Sequence, residues 1–424
     1  MGRFAVYTVG CKVNQAESEE LRAELVERGH SPVSDPSEAD LCVVNTCLVT
    51  AESERKTRKL IRALKRKGAG RVLAAGCYPQ VKREELMAST GVDYVLPNSR
   101  KDLWAEYVAA LLPPGEEGEK DSRTTRTRGF IKVQDGCERR CSYCIVPAAR
   151  GPERSLSPRE AAAKAERWLC RGVKELVLCG VNLGRYEGGP GYDLGGLVRY
   201  LLRLGEGFRI RLSSIEPEDL QSRWFLEWME SGRVCPHVHL PLQSGSAETL
   251  RDMGRGYNPE EYLELVEELR AVWPSATLTT EVIVGYPGET DDAFADTWRV
   301  LERASPSRLH VFRFSPRPGT PAWEKRESVD TREAAERSLL LRNWARKERL
   351  RYAASRRGGD CAVLVEKVKR QGAGWTAEGT TEDYLKARIM NLDFPAKPGG
   401  LIKGRICAVD GDVAILDGGS VRAE

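Results

Sequence analysis

The sequence predicts an α/β protein in three parts. An N-terminal open parallel α/β domain over residues 1–112 is followed by a central partial (βα)6 barrel over 129–357 and a small C-terminal antiparallel β-barrel over 358–424. Three observations predict this. Strand-like and helix-like stretches alternate through the first two regions, which implies parallel sheets with helices on their faces. A stretch rich in Pro, Gly, Ser and charge, PPGEEGEKDSRTTRTR from Pro113 to Arg128, reads as the linker between them. After about Arg357 the helical patterns stop, and short apolar segments punctuated by Gly and Pro take over. At 424 residues the chain is also too long for one core.

In the first region, strands are expected at Arg3–Val9, Asp40–Asn45 and Arg71–Ala75. Helical patterns follow them at Ala16–Arg28, Ala51–Lys67 and Lys82–Ser89. In the second, apolar strands are expected at Phe130–Gln134, Lys174–Cys179, Phe208–Ser213, His237–Pro241, Thr277–Ile283 and Arg308–Phe314. Helices such as Pro158–Leu169, Glu260–Val272 and Asp291–Arg303 separate them. Successive βα units of this kind suggest a barrel or partial barrel, whose chemistry sits at the C-terminal ends of its strands. In the third region, CAVLVEKV, WTAEGTT, YLKARIM and RICAVDGDVAILD fit a small barrel of a type that often binds oligonucleotides.

A hydrophobic share of 41% and a charged share of 30% describe a soluble globular protein. No apolar run approaches the length of a membrane span, and MGRFAVYTVGCK lacks the parts of a secretory signal, so the expectation is a cytoplasmic protein. In a reducing compartment, twelve cysteines point to metal or redox chemistry rather than to disulfides. The net charge of +4 says little, but its distribution says more. RKTRKLIRALKRK, from Arg55 to Lys67, has eight basic residues and no acid, and from Thr331 to Arg357 bases outnumber acids nine to three. Each run alone is compatible with a solvated helix face. Two of them lean toward a nucleic acid partner.

The strongest chemical signal is Cys137-Glu-Arg-Arg-Cys141-Ser-Tyr-Cys144, directly after the first strand of the barrel region. Three thiolates in one tight loop can hold three irons of a [4Fe–4S] cluster and leave the fourth open. S-adenosylmethionine can bind that iron through its amino and carboxylate groups, and an electron from the cluster then releases an adenosyl radical. Structural zinc would need a fourth protein ligand nearby, and the closest histidines, His237 and His239, belong to a later strand. A second signal is spread along the chain. Cys11, Cys47 and Cys77 each lie within two residues of the end of an expected strand. In a parallel sheet those ends share one edge, where ligand crevices form, so three cysteines there suggest a second cluster. Cys42, Cys170, Cys235, Cys361 and Cys407 read as packing residues, and Cys179, at the end of the second barrel strand, as a core or neighbouring residue.

Taken together, these residues resemble the methylthiotransferase family of radical S-adenosylmethionine enzymes over essentially the whole chain. TVGCKVNQAES, VVNTCLVTAESERKTRK and AAGCYPQ are similar to the three cysteine motifs of its N-terminal domain. IKVQDGCERRCSYCIVPAARGPERS is similar to its radical-cluster loop. RIRLSSIEPEDL, HVHLPLQSGS, IVGYPGETDD and HVFRFSPRPGTPAW resemble later strand ends of its barrel, and the C-terminal segment resembles the RNA-binding TRAM domain. The resemblance implies that Cys137, Cys141 and Cys144 ligate the radical cluster and that Cys11, Cys47 and Cys77 ligate an auxiliary one. It implies cofactor contacts at Gly180, Asn182, Ser213, Glu216, Gln243, Ser244 and Gly285. One S-adenosylmethionine then supplies the methyl group and a second the radical. The implied partners are the anticodon stem-loop of tRNA, an electron donor of flavodoxin or ferredoxin type, and a sulfur source.

Family members differ in substrate. Gly-Cys-Lys-Val-Asn-Gln at the first motif is similar to the branch acting on N6-threonylcarbamoyladenosine at position 37, next to the anticodon. The branches acting on N6-isopentenyladenosine or on a ribosomal protein usually read differently there. The Thr-Ala-Glu-Ser-Glu-Arg-Lys run after Cys47 and the Tyr384-Leu385-Lys386-Ala387 turn suit the same branch, while Cys179 departs from its commoner Thr. Other classes stay open at this point: a plain radical methylase without the second cluster, or a non-catalytic RNA-binding protein with structural zinc.

Overall fold

Two strands near the N-terminus, LCVVNT and VLAAG, are buried at every position. Such runs occur where helices cover both faces of a parallel sheet. The computed structural model describes residues 2–114, 127–325, 329–372 and 374–423, and it shows that sheet. Its strands are β1 (Arg3–Thr8), β2 (Ser31–Pro32), β3 (Leu41–Thr46), β4 (Val72–Gly76) and β5 (Tyr94–Pro97), all parallel, in the order β2-β1-β3-β4-β5. Helices α1 (Lys12–Glu27), α2 (Ala51–Arg66), α3 (Cys77–Val81), α4 (Arg83–Thr90) and α5 (Trp104–Leu111) connect or follow the strands. Chain order reverses between β1 and β3, and the crevice beyond the strand ends at such a reversal is where open α/β sheets bind ligands. The sequence reading missed β2, β5, α3 and α5; β2 has only two residues and carries no periodicity.

The chain divides into two compact units. One contains Met1–Arg123, Gln134–Arg154 and Ser315–Glu324; the other contains Thr124–Val133, Ser155–Phe314 and Lys325–Glu424. The cysteine loop after residue 134 therefore belongs to the same unit as the N-terminal sheet. Most of the expected linker 113–128, namely 115–126, lies outside the described residues.

In chain order the next elements are β6 (Gly129–Lys132), β7 (Gln134–Asp135), α6 (Val146–Arg150), β8 (Arg154–Ser155), α7 (Pro158–Cys170), β9 (Glu175–Cys179), α8 (Leu194–Leu202), β10 (Arg209–Leu212), α9 (Arg223–Ser231), β11 (His237–His239), α10 (Ala247–Asp252), α11 (Pro259–Val272), β12 (Thr277–Val284), α12 (Asp291–Ala304) and β13 (Arg308–Arg313). In the second unit, β10-β9-β6 and β11-β12-β13 form two parallel sheets. Single bridges at Ile210–Val234 and Ser214–His239 join them into one curved wall of six strands. This is the expected partial barrel. Its helix starts were legible because their caps are local: Ser157 and Glu160 form a capping box with Pro158 between them, and Asn258 and Glu261 repeat it around Pro259.

Helix α13 (Thr331–Ser355) leads to β14 (Asp360–Gln371), β15 (Gly374–Thr381), β16 (Lys386–Leu392), β17 (Leu401–Asp410), β18 (Val413–Asp417) and β19 (Arg422–Ala423). Pairing of β14 with both β15 and β17 closes a five-stranded barrel. The expected barrel was wholly antiparallel, yet β16 and β18 pair in parallel, because β17 lies outside both and the chain returns past it. Glu175 anchors this small barrel to the wall. It is fully buried and receives Arg128, Arg209 and Arg211 at 2.6–2.9 Å. Arg209 also donates to the carbonyl of Ala362 (2.8 Å), and Arg211 to those of Thr381 and Glu382.

Among the described residues, no helix is long and apolar enough to cross a membrane.

Candidate metal centre

The parallel register decides where three cysteines go. Thr46 lies opposite Gly76 at the ends of β3 and β4, so Cys47 and Cys77, the next residues, leave the sheet side by side. Thr8 lies opposite Asn45, and Val9 N donates to the Asn45 carbonyl (2.9 Å), which carries the β1 loop to the same edge. There Gly10 has φ +114°, and a Cβ on it would lie 2.6 Å from Cys47 Cβ. Glycine lets the Cys11 loop close on Cys47. Cys11 and Cys47 thus flank the β1/β3 reversal, with Cys77 beside them. Cys11 is exposed, while Cys47 and Cys77 are buried.

The loop of Cys137, Cys141 and Cys144 is shaped by its own backbone. Cys144 N donates to the Cys141 carbonyl (3.0 Å), and Cys137 N to that of Gly151 (3.2 Å). Helix α6 follows, and Ile145 and Ala149 pack into the core of the N-terminal sheet with Cys42, Val44, Cys77 and Tyr78. Residues 315–324 brace both cysteine sets. Arg317 donates to the Leu48 carbonyl (3.2 Å) and pairs with Glu54 (2.6 Å), while Ala322 N donates to the Ser142 carbonyl (2.8 Å).

Beside the three strand-end cysteines lies a buried polar network that sequence reasoning missed. Asn14 Nδ2 donates to the carbonyls of Val9 (2.8 Å) and Thr46 (3.0 Å), tying the Cys11 loop to the Cys47 loop. Its Oδ1 accepts from Arg150 Nη2 (2.6 Å) and from the Cys11 thiol (3.7 Å). Arg150 Nη1 also pairs with Asp135 (2.8 Å) and Glu17 (3.1 Å). Glu17 pairs in turn with Lys101, which donates to Asn45 Oδ1 (2.8 Å). Burial works against the charge of Arg150, but Glu17, Cys77, Asp135 and Cys11 outweigh it and hold its pKa well above the ordinary value. Burial pushes the Cys77 thiol up to about 11, against the pull of Arg150 and Lys101. It raises Cys47 as well. Asn14 and Glu17 stand three and six residues after Cys11, so their helical spacing was the available signal.

In the second unit, the cofactor positions expected from resemblance stand after strands of the wall. Gly180 N donates to Ser213 Oγ (3.4 Å), which joins the ends of β9 and β10. Asn182 is buried. Glu216 pairs with Arg255. Gln243, at φ +64°, donates through Nε2 to Glu281 (3.2 Å), and Ser244 Oγ lies 3.4 Å from Thr297 Oγ1. Gly285 N donates to Glu289 (2.7 Å), and a Cβ there would lie 2.6 Å from that of Ala334, so packing against α13 by itself requires glycine. The histidines weighed for zinc are engaged in the wall: His237 bonds Thr279 (2.8 Å) and His239 faces Glu281 (3.6 Å). Cys42, Cys179, Cys235 and Cys361 are buried, as packing residues should be. Cys170 and Cys407 are exposed instead, one at a helix end and one on the small barrel.

The donor chemistry fits iron–sulfur clusters. Each set offers three thiols, soft ligands suited to iron and sulfide, and the strand-end set has buried cations beside it to offset thiolate charge. Among the described residues, no group of three or more His, Cys, Asp or Glu gathers as tightly as one metal ion needs. A cubane asks for a wider set, since each thiolate takes a separate iron.

Residues 131–301 match the Radical SAM superfamily, and residues 3–97 match the group described as Uncharacterized protein family UPF0004. The chain is 35% identical over 399 residues to the threonylcarbamoyladenosine tRNA methylthiotransferase MtaB of Thermotoga maritima, covering 91% of each chain. It is 31% identical to the tRNA-2-methylthio-N(6)-dimethylallyladenosine synthase of Wolbachia sp. subsp. Brugia malayi, covering 87% of this chain and 89% of that one. Among solved structures, the radical S-adenosylmethionine methyltransferase TsrM of Kitasatospora setae shares the fold. The TM-score is 0.57 at 14% identity, over 76% of this chain and 75% of that one. With two cysteine triplets in their motifs and full-length relatives above 30% identity, the chain belongs to the methylthiotransferase family of radical S-adenosylmethionine enzymes.

Proposed function

We propose that this chain is a tRNA methylthiotransferase that converts N6-threonylcarbamoyladenosine at position 37 to its 2-methylthio derivative. The observation that supports the reading is the second cysteine triplet: Cys11, Cys47 and Cys77 follow the neighbouring strands β1, β3 and β4, in the unit that also holds the Cys137–Cys144 loop. A plain radical methylase needs only the loop.

When bound, two [4Fe–4S] clusters and S-adenosylmethionine supply the electron, the adenosyl radical, the methyl group and the sulfur. Cys137, Cys141 and Cys144 would hold the radical cluster, and Cys11, Cys47 and Cys77 the auxiliary one. Gly180, Asn182, Ser213, Glu216, Gln243, Ser244 and Gly285 would bind and orient the cofactor with the backbone and polar groups of the strand ends. Asn14 and Arg317 keep the auxiliary loops from spreading, through the carbonyls they hold. The reacting adenine C2–H is not acidic, which is why radical chemistry is required. A splayed nucleotide of the anticodon stem-loop can present that edge, and a stacked helical base cannot. The remaining partners are a reductant of flavodoxin or ferredoxin type and a sulfur source, in the cytoplasm.

The threonylcarbamoyl carboxylate calls for donors or cations in its pocket, whereas an isopentenyl group calls for an apolar slot. The test offers purified, reconstituted enzyme tRNA bearing either modification and analyses the digested nucleosides by mass spectrometry. The expected product is 2-methylthio-N6-threonylcarbamoyladenosine. Methylthiolation of the isopentenyl substrate alone overturns the assignment.

A further inference from the structure

The charged group placed to act on all three strand-end cysteines is Arg150, which ends the helix after the radical-cluster loop. Its side chain is 3% exposed. It meets Asn14 on the Cys11 loop, Glu17 one helical turn further, and Asp135 just ahead of Cys137. The Asn14 oxygen that it binds is the one the Cys11 thiol approaches. Asn14 also holds the carbonyl of Thr46, next to Cys47, and Ala149, the neighbour of Arg150, packs in one core with Cys77. Lys101 is another buried cation nearby, but it is tied to Glu17 and Asn45 and, unlike a guanidinium, can give up its proton when buried.

We propose that Arg150 is a positioning residue for the auxiliary cluster, a permanent buried cation that joins the radical-cluster loop to the Cys11 loop and stabilises added negative charge on the cluster. The inference rests on the cluster reading above. A cluster held by three thiolates gains a further negative charge when reduced. A fixed cation in a poorly polarisable interior favours that reduced state, so net charge and hydrogen bonding set the potential. The radical-cluster loop and the auxiliary site are coupled here through one guanidinium.

The experiment uses the full chain with Cys137, Cys141 and Cys144 replaced by Ala, so that one cluster remains, reconstituted anaerobically and titrated with dithionite under EPR. Arg150→Gln in this background should keep the iron and lower the equilibrium constant for one-electron reduction at least tenfold, a fall of 59 mV. Arg150→Lys, which keeps the charge, should stay within about threefold of the background. Full iron and an unchanged potential in Arg150→Gln overturn the proposal. If Arg150→Gln loses its iron, retention by Arg150→Lys supports the charge, and loss in both overturns it in favour of simple packing. A background that binds no iron overturns the cluster reading and, with it, the role given to Arg150.

Discussion

Gly136 shows how narrowly the cysteine loop is set. Its φ is +76°, and a Cβ would lie 1.8 Å from the Pro152 carbonyl oxygen, which cannot move without shifting the strand beside it. Gly151 has the same φ but nothing within 4 Å of a Cβ. Replacing each by Ala separates the clash from the strain. Gly136→Ala should lower iron from about eight per chain to about four and abolish cleavage of S-adenosylmethionine, since the neighbouring Cys137 is displaced. Gly151→Ala carries backbone strain alone, about 1–3 kcal/mol, and should keep about eight irons. Iron and sulfide analysis with a deoxyadenosine assay decides it, and equal loss in both would refute the steric argument. The cysteines themselves were legible, because strand ends and a short motif are local features. Asn14 and Glu17 offered only their helical spacing from Cys11, and nothing in the sequence marks Arg150 as buried beside a residue 136 positions away. Their role depends on tertiary packing.

At the scale of the element, each charge run divides between bases held by the fold and bases left on the surface. In α2, Glu52 and Glu54 precede the basic stretch, and Arg58, Arg62 and Lys65 turn to Tyr78, the Ser89 carbonyl and Asp93. Arg55 and Lys56 face Glu52, and Lys59, Arg66 and Lys67 are exposed. In the second run Arg337 is buried against Glu289 and Asp291, Arg349 pairs with Asp412, and Arg356 with Asp383, while Arg342, Arg346, Lys347 and Arg357 are exposed. Glu175 in β9 is the opposite case, one acid that holds three guanidiniums. Burial alone would raise its pKa, but Arg211, Arg209 and Arg128 hold it well below the ordinary 4.5. A depressed carboxylate contributes stability above its unfolded pKa and loses it as pH falls through the folded one. Glu175→Gln should therefore cost about 3–5 kcal/mol at pH 7, because the buried cations lose their partner. The difference from the parent should start to shrink only below about pH 4.5. Urea unfolding followed by the fluorescence of buried Trp224 and Trp228 measures it at each pH, and a constant difference down to pH 3 would exclude the ionic origin.

Strand and helix order over most of the molecule followed from periodicity, caps and breakers, all readable within a few residues. Closure of the small barrel did not, since the β14–β17 and β16–β18 pairings join segments far apart in the chain. The same closure bears on how RNA binding is tested. Deleting residues 358–424 would strip Arg209 and Arg211 of the carbonyls they hold and leave Glu175 with a disturbed shell, so weaker tRNA binding would report damage as readily as lost contact. Exposed charge on the intact barrel is the cleaner probe. Lys367, Lys369 and Arg370 lie on the outer half of β14, where all three are exposed. If that ribbon meets the phosphate backbone, changing them together to Gln should reduce the slope of log K against log salt by about 2–3 and weaken tRNA binding roughly tenfold or more near physiological salt. Iron content and turnover at saturating tRNA should hold. Lys59→Gln with Arg66→Gln on α2 gives the parallel measurement for the other basic surface, where a loss of about 1–2 in slope is expected. A barrel variant that binds tRNA with the parent's affinity and salt dependence would return the C-terminal domain to a purely structural part.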